Sequence, residues 1–166
     1  DPTATATDGV GTIEGLAAGD SRHLYGAPIG QEQNDDNSGV LRYVSLRHGG
    51  QIIGANNEIN GLTLGGVGRG TTIDHIEVLS NLDDAYEMFG GTVNAKYLVA
   101  MHCDDDYLDW DQGYNGKVQF FYGVQGPDNS GGANNQGDNG FECDGDDAAT
   151  NAANGGIPSN PTVYNA

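Results

Sequence analysis

Cations are scarce in this chain. Lys and Arg number 6 against 24 Asp and Glu, a net charge of −18. A phosphate backbone is held by a basic patch, and these six cations do not cluster, so nucleic acid is excluded as a partner. An anionic membrane surface is excluded on the same ground. Long hydrophobic runs are missing too: no apolar stretch reaches 18 residues, and no membrane span is expected. No charged-then-apolar leader opens the chain, so any export signal is expected to have been removed or to lie outside it. Cysteine is limited to Cys103 and Cys143, which says little about redox compartment. Helical periodicity is also weak, because Gly or Asn interrupts every candidate run.

What the chain has instead is glycine, 28 residues of 166, together with Asn and acids. Frequent turns and a heavily hydrated exterior follow, and this composition fits an extracellular or cell-surface protein. The length suffices for one domain with its own core.

The acidic turns repeat. Asp83-Asp84-Ala85-Tyr86-Glu87-Met88 matches Asp105-Asp106-Tyr107-Leu108-Asp109-Trp110, a step of 22. A third copy, Asp138-Asn139-Gly140-Phe141-Glu142-Cys143, follows after 33, the excess falling in the polar stretch GPDNSGGANNQ. Between the copies lie β-rich runs: GVLRYVSLRH, TTIDHIEVLS, VNAKYLVAMH, GKVQFFYGVQ and a fifth, PTVYN. Asp74 to Lys96 is again 22, Lys96 to Lys117 is 21, and Arg42 to Asp74 is 32.

Short strands with glycine turns at a period near 22 read as the coils of a β-solenoid. One coil cannot bury its own apolar face, so coils stack at about 4.8 Å with like residue over like. Tyr86, Leu108 and Phe141 are then one inward column, and Met88, Trp110 and Cys143 another. Glu87, Asp109 and Glu142 point outward between them. Arg42, Asp74 and Lys96 stack with alternating sign. An antiparallel sandwich also uses many short strands, but it gives no reason for a triplet to recur at matched offsets. The expected fold is all-β, one solenoid over 1–166, with inserted surface loops at 126–137 and 144–160.

At NSGVLRYVSLRHGG, NNEINGLTLGGVGRGTTIDHIEVLS and DDAYEMFGGTVNAKYLVAMHCDDDYLDWDQGYNGKVQFFYGVQ the chain resembles a bacterial family of secreted right-handed parallel β-helix proteins. Its members are mostly labelled lipoproteins or uncharacterised cell-surface proteins. The likeness runs from about Asn37 to Gln125. It implies a right-handed parallel β-helix at the cell surface and carries no catalytic residues across. Family members usually have further coils on both sides, so the chain is expected to be a fragment or to have its open ends completed by copies of itself.

The acids are the candidate chemistry. Asp83, Asp84, Glu87, Asp104, Asp105, Asp106, Asp109 and Asp111 crowd two adjacent turns, and stacked carboxylates repel unless donors, water or a cation intervene. Ca²⁺ takes six to eight oxygens and suits such a patch. A turn ladder, with Asp and Asn side chains bonded to backbone N–H groups, accounts for the same residues without metal. Carboxyls one rung apart also match the spacing of a retaining glycosidase, but any stacked acid pair does. His48 and His102 fall two rungs apart, too far for one Zn²⁺, and His75 reads as a sheet residue. Cys103 and Cys143 sit at different places along the coil, which disfavours pairing. Tyr107, Tyr114 and Tyr122 are candidates for a sugar-stacking strip, with wall or core packing the plainer role for Tyr107 and Tyr122. The expected function is a non-catalytic extracellular structural or adhesive module, self-associating end to end into a filament or surface layer. The alternative is a polysaccharide-binding or polysaccharide-cleaving β-helix that uses the clustered Asp residues.

Overall fold

The computed structural model describes residues 10–13, 21–28, 31–54, 59–126, 139–145 and 158–166. Strands β1 (Val10–Thr12) and β2 (Leu24–Gly26) form an antiparallel hairpin. The others stack in parallel as two sheets. The first runs β3 (Val40–Arg47), β5 (Thr72–Leu79), β7 (Asn94–Met101), β9 (Lys117–Val124) and β11 (Thr162–Tyr164). The second runs β4 (Leu62–Gly65), β6 (Tyr86–Phe89), β8 (Asp109–Asp111) and β10 (Glu142–Cys143). The fold is a right-handed parallel β-helix. The inserted loops expected at 126–137 and 144–160 lie almost wholly outside the described residues.

Registers follow the repeat closely. Arg42 pairs with Asp74 and Asp74 with Lys96. Glu87 pairs with Asp109, Met88 with Trp110, and Asp109 with Glu142. The run PTVYN supplies β11, pairing Thr162 with Lys117. One expected register is corrected: Lys96 stands over Gln119, and Lys117 under Asn94, a step of 23 rather than 21. Lysine over lysine would put like charges one rung apart. It would also set Leu98, fully buried, over polar Gln119 instead of over Phe121.

The long strands are bent, and the bend has a residue signature. Tyr43, His75, Tyr97 and Phe120 have φ of 56°, 54°, 56° and 59°, the left-handed region. Each is skipped in the pairing, so the residues on both sides of it ladder normally while the strand turns a corner. Bulky side chains rarely adopt this conformation. Here four rings meet in a column, with centroids 4.5, 4.5 and 4.9 Å apart, and the contacts offset the strain.

Inside, Ile76, Leu98 and Phe121 stack behind the corner, facing Tyr86, Met88 and Leu108 from the second sheet. Tyr86 and Leu108 are fully buried, as the expected inward column requires. Phe141, at the end of that column, rests 5.5 Å from Phe121 and 6.3 Å from Trp110 and stays partly exposed. Cys103 is buried, Cys143 exposed, and both are free.

Candidate functional site

The acidic turns hold the coils in register. Asp84 Oδ1 accepts from the backbone N–H of Asp106 at 3.0 Å, and Asp106 Oδ1 accepts from that of Asn139 at 2.7 Å. Each carboxylate thus binds the equivalent residue of the next coil, which is why the turn recurs. Asn81, also buried, donates to the carbonyls of Ile59 and Asp84. The Asn81–Asp84 bond closes the turn locally, as the sequence suggested, while the bonds of Asp84, Asp106 and Asn81 to Asp106, Asn139 and Ile59 join coil to coil.

Five of the eight acids singled out above fall into two groups that share Asp84. Asp84, Glu87 and Asp109 gather, with carboxylate oxygens all within 4.8 Å of one another. Asp83, Asp84 and Asp105 form a second, less buried group. Asp104 faces elsewhere, toward a hollow shared with His48, Ser80 and His102. Asp106 is spent on Asn139, and Asp111 accepts from the N–H of Gln112.

The first group is sealed. Glu87 and Asp109 lie on the outer face of the second sheet, by alternation with Tyr86 and Met88, yet they are only 2% and 8% exposed. That face has a cover. The β1–β2 hairpin sets Tyr25 against Phe89 with ring centroids 6.3 Å apart, and a side chain at Gly65 would strike the same ring. The Tyr25 hydroxyl donates to Gln112, and the Asn60 amide donates to Glu87. Burial, reinforced by the charge of Asp109, pushes the Asp84 carboxyl up to about 9. Burial first, then Glu142, pushes Asp109 up as well. Three carboxyls so placed hold either protons or a cation.

A different surface opens on the five-stranded sheet. A groove of about 360 Å³ is lined by Thr72, Asp74, Asn94, Lys96, Lys117, Gln119 and Tyr164. Two further lining residues between them, Ile73 and Ala95, belong to the core. The aromatic corner follows one residue after Arg42, Asp74, Lys96 and Gln119 in each strand and is open to solvent: Tyr43 is 73% exposed, Tyr97 40% and Phe120 39%. Sequence reasoning missed this column. Of the three tyrosines proposed as a strip, Tyr107 and Tyr114 are fully buried, with hydroxyls bonded to the carbonyls of Val124 and Val93. Tyr122 is exposed. The signal available was the recurring polar–aromatic–apolar triplet Arg42-Tyr43-Val44, Asp74-His75-Ile76, Lys96-Tyr97-Leu98 and Gln119-Phe120-Phe121.

Asp74 anchors the groove. It accepts from Arg42 Nε at 2.8 Å and bonds His75 Nδ1 at 2.7 Å. His75 first and Arg42 second hold its carboxyl below the ordinary range. A depressed carboxylate stabilises the fold above its unfolded pKa of about 4, and that contribution is lost as pH falls through the lower folded value. Asp74→Asn is therefore expected to lower stability at neutral pH and to flatten its decline below about pH 4. Urea midpoints measured from pH 3 to 7 check this; parallel curves for variant and wild type contradict it.

A family model for the pectate-lyase-like β-helix domain matches residues 12–166. No curated protein and no solved structure gives a match. With the match spanning most of its length, and with two parallel sheets stacked coil on coil, the chain belongs to the pectate-lyase-like β-helix domain family.

Proposed function

We propose that this β-helix is a non-catalytic extracellular module that holds an acidic polysaccharide along the groove of its five-stranded sheet. The observation that carries the reading is the placement of Lys96 and Lys117. In a chain with 24 acids, both line one groove on adjacent rungs, Asn94 paired with Lys117 and Gln119 with Lys96. Neither lysine is in an ion pair among the described residues, whereas Arg42, Arg47 and Arg69 pair with Asp74, Glu77 and Asp35. An extended chain crossing the rungs meets Thr72, Asn94 and Lys117 in one row and Asp74, Lys96 and Gln119 in the next, at about 4.8 Å intervals. The net negative charge elsewhere is screened beyond about 8 Å at physiological salt. Membership of the pectate-lyase-like family supports a polysaccharide ligand.

Two features favour binding over cleavage. The cross-strand carboxyl pair Glu87 and Asp109 is buried where no sugar reaches. The groove has one acid, Asp74, and its low pKa makes it a poor general acid.

Affinity electrophoresis in gels containing polygalacturonate or a neutral glucan tests the reading. Retardation by polygalacturonate is expected, weakened about tenfold in Lys96→Ala/Lys117→Ala and abolished at about 1 M salt, where the Debye length is about 3 Å. Absence of retardation by any acidic polymer overturns the binding surface. Unsaturated products or new reducing ends overturn the non-catalytic assignment.

A further inference from the structure

We propose that Asp84, Glu87 and Asp109 form a buried Ca²⁺ site that locks the coil bearing β6 to the coil bearing β8. Proximity alone does not carry this, since stacked acids are common. Two orphaned atoms do. Asp109 Oδ1 is buried and has no hydrogen-bond partner, on a side chain only 8% exposed. Asn60, whose amide donates to Glu87, leaves its own Oδ1 buried and without a partner. Nearly all buried polar atoms in a folded protein find a partner, so an orphaned oxygen within the trio, and a second on the amide bonded to Glu87, mark a position for something that accepts oxygen lone pairs.

The donor set selects the ion. It is oxygen only, three carboxylates, one of them bonded by the Asn60 amide, with no Cys or His in the group, which disfavours soft metals. Oxygens bound to one Ca²⁺ at about 2.3–2.6 Å lie within about 5 Å of each other, and these lie within 4.8 Å. Ca²⁺ fills its shell with bidentate carboxylates, whereas Mg²⁺ retains several waters and needs an octahedral space that a sealed site does not give. Because Glu87 is 2% exposed, the ion has no route to a bound polymer, and its role is structural. The other acidic group, Asp83 with Asp84 and Asp105, has no orphaned atom among the described residues. The proposal is independent of the saccharide reading, whose groove lies on the other sheet.

Calorimetric titration of the EDTA-stripped 166-residue chain with CaCl₂ tests it. One ion per chain is expected, with a thermal midpoint raised by several degrees and a much smaller response to Mg²⁺. Glu87→Gln and Asp109→Asn should each weaken binding at least tenfold and remove the calcium-dependent rise. Asp83→Asn and Asp105→Asn, which remove only a charge neighbouring Asp84, should have much smaller effects on both. Should the buried variants fail to fold, Tb³⁺ luminescence of the wild type supplies the second measurement: the ion is expected to be sensitised by Trp110, adjacent to Asp109, and displaced by Ca²⁺. The site is overturned by no binding at millimolar calcium, by wild-type affinity in Asp109→Asn, or by loss confined to the Asp83 and Asp105 variants. It is also overturned if Asp109→Asn raises the midpoint while the wild type ignores calcium, for then the carboxyls hold protons.

Discussion

Tyr86→Ala is expected to destabilise the chain by about 3–5 kcal/mol, the range for removing a fully buried aromatic ring. The ring is 0% exposed and lies where the two sheets face each other, 6.2 Å and edge-on to Phe121. Its hydroxyl sits 2.9 Å from the Ile76 carbonyl oxygen and 2.8 Å from that of Val99, both on the five-stranded sheet. The side chain therefore does two jobs: it fills the interior and satisfies backbone groups across it. Tyr86→Phe separates them. It keeps the ring, removes the hydroxyl's bonds to these carbonyls, and should cost about 0.5–1.5 kcal/mol. Tyr97→Ala is the external control. That residue is 40% exposed, and its loss removes ring contacts with His75 and Phe120 worth about 0.5–1.5 kcal/mol each while also relieving nothing in the core. Denaturant midpoints with a common m-value give the three differences. An equal loss for Tyr97→Ala and Tyr86→Ala contradicts this account of where the stability resides.

The coil was legible in the sequence because stacking forces like side chains to recur. Glu87 over Asp109 over Glu142, and Arg42 over Asp74 over Lys96, are visible as spacings before any coordinate is known. The aromatic corner was hidden for a local reason. Left-handed backbone is usually announced by Gly or Asn, and here Tyr43, His75, Tyr97 and Phe120 occupy it. Matching Lys96 to Lys117 then slid β9 by two residues and set Tyr97 against Val118, so Phe120 dropped out of the column. The sealed carboxyls were hidden for a long-range reason. Period-two alternation says that Glu87 and Asp109 leave the core, which is correct, but not that a hairpin some 60 residues upstream covers that face. Tyr25, which does the covering, belongs to no repeat. The acids themselves were legible as a group of eight; the division into coil-linking Asp84 and Asp106, the sealed trio and Asp104 depends on side-chain direction, which spacing does not fix.

Gly116→Ala should be the most damaging single methyl that the coil can receive. A Cβ at this position would lie 1.9 Å from the Val93 carbonyl oxygen and 2.5 Å from the Tyr114 hydroxyl. Neither can yield cheaply. The Val93 carbonyl is backbone of the preceding coil and accepts from Tyr114 at 2.9 Å, and Tyr114 is fully buried. The chain at Gly116 must move instead, and its own carbonyl accepts from Thr162 at 3.0 Å, so β11 moves with it. Overpacking costs about 1–3 kcal/mol, occasionally more, and a clash with fixed backbone belongs at or above the upper end of that range. Gly140→Ala is the matched control: nothing lies within 4 Å of a Cβ there, and its effect should stay within about 0.5 kcal/mol. Because each coil contacts chiefly its neighbours, the damage should be confined at first to the β9–β11 end, with amide protons there exchanging faster while those of β5 and β7 keep their protection. Uniform loss of protection along the stack, or equal midpoints for the two alanine variants, contradicts the tight approach of adjacent coils at Gly116.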